Sequence, residues 1–118
     1  MVEDNPDNAD LVLDLLEGSY EIVHFLDANT ALDQLKSIKP EDLPHLFLLD
    51  ISLPGMDGIT LLRTLRQNPT WKSIPAIALT AHAMKSEKEG LMSVGFDGYV
   101  SKPIVDETAL TTTIEKLT

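Results

Sequence analysis

Apolar residues change their spacing several times along the chain, and each change marks an element. Leu11, Val12, Leu15 and Leu16 recur at the spacing of one helical face. Ahead of them, Asn5-Pro6-Asp7 supplies a capping side chain, a first-turn proline and an acid at the positive end of the helix dipole. Gly18 stops the run. Tyr20 to Leu26 is rich in β-branched and aromatic residues, which predicts a strand. Asp27 to Lys39 predicts a helix with Ala31, Leu32, Leu35 and Ile38 on one face, closed by Pro40. Leu46 to Leu49 is a continuous apolar run ending in Asp50, the pattern of a strand buried on both faces.

The second half repeats this rhythm. Pro54, Gly55 and Gly58 mark a loop, Ile59 to Arg66 a helix, and Asn68-Pro69 its end. Pro75 to Leu79 is an apolar strand ending in Thr80, and Ala83 to Val94 is a helix closed by Gly95. Asp97 to Ser101 is a short strand followed by Lys102-Pro103, and Asp106 to Leu117 is a final helix. Strands alternating with helices of this length predict an α/β fold, a doubly wound parallel sheet with right-handed crossovers.

Composition narrows the function classes. The 118 residues are the size of one domain, and 43% are hydrophobic, enough for one core. Without cysteine there can be no disulfide, thiolate metal site or cysteine nucleophile. Nineteen acidic residues against nine basic ones give a net charge of −10, which disfavours nucleic acid and anionic membrane surfaces as partners. No apolar run approaches the roughly 20 residues of a membrane span. The acidic start, Met1-Val2-Glu3-Asp4, is unlike a signal peptide, and a cysteine-free, acidic chain suggests a cytoplasmic location.

Ligands of open parallel sheets bind at the carboxyl ends of the strands. Asp50, Thr80 and Lys102 end predicted strands, and Glu3-Asp4 stands where the end of a first strand would lie. Each alone has a plainer reading: a capping acidic turn, a loop cap, a helix-capping threonine, a surface lysine. Together they bring three carboxylates, a hydroxyl and an ammonium to one edge. Crowded carboxylates repel unless a cation intervenes, and a rim of hard oxygen ligands suits Mg²⁺.

The chain resembles the receiver domain of two-component response regulators. The matching stretches are Val2 to Asn5, Leu48 to Gly58, Ile77 to Ala81 and Tyr99 to Pro103, with Asp50 lying 30 positions before Thr80 and 52 before Lys102. The resemblance implies a flavodoxin-like (βα)5 fold with strand order 2-1-3-4-5. It also implies a single domain over 1–118 without an output domain. Asp50 would accept a phosphoryl group from a histidine kinase or a histidine phosphotransfer protein. Asp4, Asp50 and the main-chain carbonyl of Ser52 would hold Mg²⁺, with Glu3 acting through a bound water. Lys102 would neutralise a phosphoryl oxygen. Thr80 and Tyr99 would form a switch that remodels the face of helix 4, strand 5 and helix 5. Lys102-Pro103 is a cis peptide bond in the family.

One departure bears on this picture. Where the family carries about five or six apolar residues before the acidic pair, this chain has Met1-Val2, so strand 1 is expected to be truncated. That predicts either lost pairing, a homodimer or strand-swapped dimer, or strands closing up in an altered order. It also makes an inactive interaction module the alternative function. An aspartate-nucleophile phosphatase fits less well, because the residue two after Asp50 is Ser52 rather than an acid. Among the remaining residues, His82 lies near the predicted site mouth, while His24 and His45 read as structural or exposed. Trp71 is expected to pack at a loop, and Met84 and Met92 to lie in the core.

Overall fold

A computed structural model of the chain describes residues 1–16, 18, 20–51, 53, 55–80, 85–101 and 107–117, without the side chains of 40, 85–88 and 107–109. Helix α1 (Pro6–Leu16) is followed by α2 (Ala28–Ser37), a short 3-10 turn (Pro40–Asp42), strand β1 (Phe47–Asp50), α3 (Gly58–Gln67), β2 (Ala76–Thr80), α4 (Lys85–Val94), β3 (Gly98–Ser101) and α5 (Glu107–Leu117). The strands β1, β2 and β3 form one parallel sheet in that order. Phe47 pairs with Ala76, Asp50 with Leu79, and Thr80 with Ser101. These strands are the third, fourth and fifth predicted from the sequence pattern.

The first two predicted strands take a reduced form. Val2 bridges Phe25 on one side and Leu49 on the other, both in parallel. The bonds are Val2 N to Leu48 O (2.8 Å), Asp50 N to Val2 O (2.9 Å), Phe25 N to Met1 O (2.9 Å) and Glu3 N to Phe25 O (3.0 Å). Regular pairing over Tyr20–Leu26 is therefore replaced by one bridge at Phe25. A ladder needs consecutive residues on both partners, and on the other side stand Met1 to Glu3 before Asp4 turns toward α1. The spatial order is the expected 2-1-3-4-5, so the strands have not closed up into another order.

Side-chain alternation on the strands divides the core into two layers. Leu48, Ile77, Leu79 and Val100 pack with Val12 and Leu16 of α1 and with Leu110 and Ile114 of α5. Phe47, Leu49, Ala76 and Ala78 face the other way, against Ala31 and Leu35 of α2, Leu61, Leu62 and Leu65 of α3, and Leu91 of α4. Helices thus cover both faces, and β1 and β2 are buried throughout, as their unbroken apolar runs require. Trp71 joins the second layer at 6% exposure. Met92 departs from expectation: it is 47% exposed, because Leu91 takes the inward position and the next residue turns outward on the helix.

Arg66, at the end of α3, closes the edge opposite the strand ends that carry Asp50 and Thr80. Its guanidinium donates to the main-chain oxygens of Lys72 (3.0 Å), Ile74 (2.6 Å) and Gly95 (3.1 Å) and to Asp97 Oδ2 (3.0 Å). The same Asp97 oxygen accepts from Ala76 N at 2.9 Å, so one ion pair joins α3, the start of β2 and the turn into β3. Arg66→Ala is expected to cost about 1–2 kcal/mol, because it takes the guanidinium donor from three oriented carbonyls and leaves Asp97 with only the Ala76 N–H. Urea unfolding measures this, and an effect below about 0.5 kcal/mol, the scale of an ordinary surface substitution, would refute it.

The amino terminus lies within the sheet and donates to Val23 O at 2.8 Å. Burial lowers its pKa from 8.0 to about 6. Between those values the unfolded chain binds more protons than the folded one, so stability rises with pH across this window. The penalty is complete below pH 6 and gone above pH 8. Acetylating the amino terminus is expected to flatten this part of the pH–stability curve, as read from denaturant midpoints at the two ends of the window.

Candidate functional site

The carboxyl ends of the parallel strands form one rim, and the chain brings its acids there by different local means. Asp50 ends β1 after three buried apolar residues and is 2% exposed. Glu3 and Asp4 arrive through the Val2 bridge. Behind them Asn5 caps α1: its Oδ1 accepts from Asp7 N (2.9 Å) and Asn8 N (3.2 Å), and Pro6 occupies the first helical position. Asn5 N also donates to Glu3 Oε1 at 3.2 Å. The acidic pair is thus held between a strand bridge and a capped helix.

Glu3, Asp4 and Asp50 form one group whose ligand oxygens all lie within 4.8 Å of one another. Glu3 is 0% exposed and Asp50 is buried beside it, whereas Asp4 faces solvent. At that spacing two unit charges repel by about 3 kcal/mol at an effective dielectric near 20. A hard dication offsets this repulsion and takes carboxylate oxygens as ligands. The donor set therefore fits Mg²⁺.

Thr80, 5% exposed, ends β2 beside β1, one residue beyond the Leu79 that pairs with Asp50. Its own partner on β3 is Ser101, and Tyr99, half-buried on β3, pairs with Ala78. The expected set Glu3, Asp4, Asp50 and Thr80 is thus gathered at the carboxyl ends of the strands. Ser52, Lys102, Pro103, His82 and Met84 lie outside the described residues.

Two features of the rim were missed in the sequence. His24 is half-buried and its Nε2 meets Glu3 O at 2.7 Å. The partners are 21 positions apart, so no local pattern could signal the contact. Gly58 opens α3 with its N–H on Ile51 O at 3.1 Å. A Cβ there would fall on the Asp50 carbonyl oxygen and stand 2.9 Å from Ile51 Cα, so this glycine permits close approach of the helix to the strand end. Asp57 caps the same helix through Thr60 N at 2.8 Å.

This architecture has many counterparts. The family model for the response regulator receiver domain matches residues 1–115, and the chain belongs to that family. It is 40% identical over 107 residues to the signal transduction histidine-protein kinase BarA of Escherichia coli (strain K12), covering 90% of this chain and 11% of that kinase. It is 39% identical over 105 residues to the polar-differentiation response regulator DivK of Brucella ovis, covering 88% of this chain and 82% of the regulator. A crystal structure of a putative response regulator from Chloroflexus aurantiacus superposes with a TM-score of 0.87 at 30% identity, covering 98% of this chain and 92% of that one. The receiver domain of a sensor histidine kinase from Pseudomonas aeruginosa, with a magnesium ion coordinated in its active-site cleft, gives 0.82 at 27% identity, covering 98% and 92%. Receiver domains are signalling phosphoacceptors, generally not classed as enzymes; they interact with histidine kinases or phosphotransfer proteins and bind Mg²⁺ at an acidic site. No helix among the described residues is long and apolar enough to cross a membrane.

Gly58→Ala is expected to destabilise the fold by about 2 kcal/mol, because the clash is with main chain that cannot swing aside. It should also displace the Asp50 carbonyl. Thermal unfolding and the amide chemical shifts of Asp50 and Ile51 measure the two effects; a wild-type melting point with unmoved shifts would contradict both.

Proposed function

We propose that this chain is an Mg²⁺-dependent phosphoacceptor, with Asp50 as the residue phosphorylated. The observation that carries the reading is the grouping of buried Asp50 with Glu3 and Asp4 within 4.8 Å, beside Thr80 on the neighbouring strand end. A carboxylate oxygen of Asp50 attacks the phosphorus of a phosphohistidine. An O–P bond forms, the N–P bond breaks, and the electron pair returns to the donor's imidazole nitrogen. Phosphoryl transfer asks chiefly for positioning and charge neutralisation.

Glu3, Asp4 and Asp50, with the Ser52 carbonyl, would hold the cation. When bound, Mg²⁺ supplies positive charge that offsets the acids and the incoming phosphoryl oxygens. Lys102, which follows directly on Ser101 at the end of β3, supplies a second cation to those oxygens. The Thr80 hydroxyl donates to the phosphoryl group once it is attached, and Tyr99 on the adjoining strand follows that movement. The change then reaches the surface of α4, β3 and α5, as a local charge event biasing a two-state face. The chain acts as one receiver unit over 1–118. The intact acidic group favours this reading over an interaction module without phosphoacceptor chemistry.

Incubation with acetyl phosphate and Mg²⁺ is expected to add the mass of one phosphoryl group to the intact protein. Asp50→Asn and an excess of EDTA are each expected to abolish the addition. An unmodified wild-type chain, or an Asp50→Asn chain modified to the same extent, would overturn the assignment.

A further inference from the structure

The carbonyl between the two acidic residues makes a contact that the phosphoacceptor reading does not use. In a parallel ladder the carbonyl and amide of alternate residues bond to the same neighbour. Phe25 N bonds Met1 O and Glu3 N bonds Phe25 O, so the next rung would run from Asp27 N to Glu3 O. Asp27 instead turns away to cap α2, with φ −146° and ψ 163°, its carboxylate accepting from Thr30 N at 2.7 Å and from the Thr30 hydroxyl at 3.1 Å. Glu3 O meets the His24 ring in place of that rung, at 2.7 Å from Nε2. A carbonyl oxygen can only accept, so Nε2 carries the proton and donates.

The carbonyl so held belongs to the peptide joining Glu3 to Asp4. Its orientation sets the direction in which Asp4 leaves the bridge. Glu3 is fully buried and held by its surroundings, whereas Asp4 is the exposed member of the acidic group and has less packing to orient it. The placement of its carboxylate therefore rests on the main chain that His24 fixes.

We propose that His24 is a positioning residue for the cation site: its Nε2–H locks the Glu3–Asp4 peptide so that Asp4 completes the acidic group. The inference rests on the Mg²⁺-dependent reading above. Groups that orient metal ligands typically contribute ten- to a hundredfold in metal affinity.

The test compares His24→Leu, which keeps bulk and removes the donor, with His24→Gln, whose amide N–H reaches about as far as Nε2. Mg²⁺ affinity is measured by titration calorimetry on the full chain, and folding by thermal unfolding without Mg²⁺. The Leu variant is expected to bind Mg²⁺ about tenfold more weakly, and the Gln variant to recover most of that loss. Should the Leu variant not fold, Gln against the shorter Asn carries the same comparison. A folded Leu variant with wild-type affinity would overturn the proposal, as would a Gln variant as weak as Leu, since that pattern marks a packing role. Wild-type chain that binds no Mg²⁺ and is not phosphorylated would overturn the phosphoacceptor reading and this inference together. Wild-type chain competent in both, beside a competent Leu variant, overturns the inference alone.

Discussion

The sheet and the site both hang on the main chain of Val2. Its N–H donates to Leu48 O, and its carbonyl accepts from Asp50 N. The residues on either side, Met1 and Glu3, bond the opposite neighbour at Phe25. One residue therefore joins the 20–25 segment to β1, and its carbonyl is bonded to the very residue that carries the central carboxylate. Burial at 4% keeps water from competing for these bonds. The position of Glu3 and Asp4 relative to Asp50 is a direct consequence, because both pairings are counted from Val2.

Around that junction the charged groups divide into two kinds. Arg66 and Asp97 are matched in sign and serve connection, tying loop carbonyls and strand starts together at the edge away from the acidic group. Glu3, Asp4 and Asp50 share one sign and stand together. A fold that holds three like charges within 4.8 Å, two of them buried, has an arrangement that favours a dication. The net charge of −10 is thus partly a local property, concentrated where cation and phosphoryl chemistry would use it.

Much of this was legible in the residues. The apolar runs Leu46–Leu49 and Pro75–Leu79 marked β1 and β2, and the residues ending them, Asp50 and Thr80, lie side by side in the sheet. Asn5-Pro6-Asp7 marked the start of α1, which the Asn5 cap bears out. The resemblance to the receiver family rested on spaced motifs, and the family model matches residues 1–115. Less legible were features whose cause is not local. Tyr20–Leu26 has strand composition, but a strand is defined by its pairing, and that segment pairs only through the bridge between Phe25 and Val2. Met92 has core composition, yet Leu91 takes the inward position. His24 read as structural or exposed, and its acceptor could not be named because it lies 21 positions away.

The sequence by itself determined the alternation of elements, the two-sided burial of the sheet and the identity of the groups at the strand ends. These follow from periodicity and capping, which act over a few residues. Tertiary structure alone decided that Val2 bridges Phe25 and Leu49 at a single residue, that Gly58 must lack a side chain and that a histidine meets the Glu3 carbonyl in place of the next rung. Those outcomes depend on hydrogen bonds and steric contacts between segments far apart in the chain, and they are set when the segments pack.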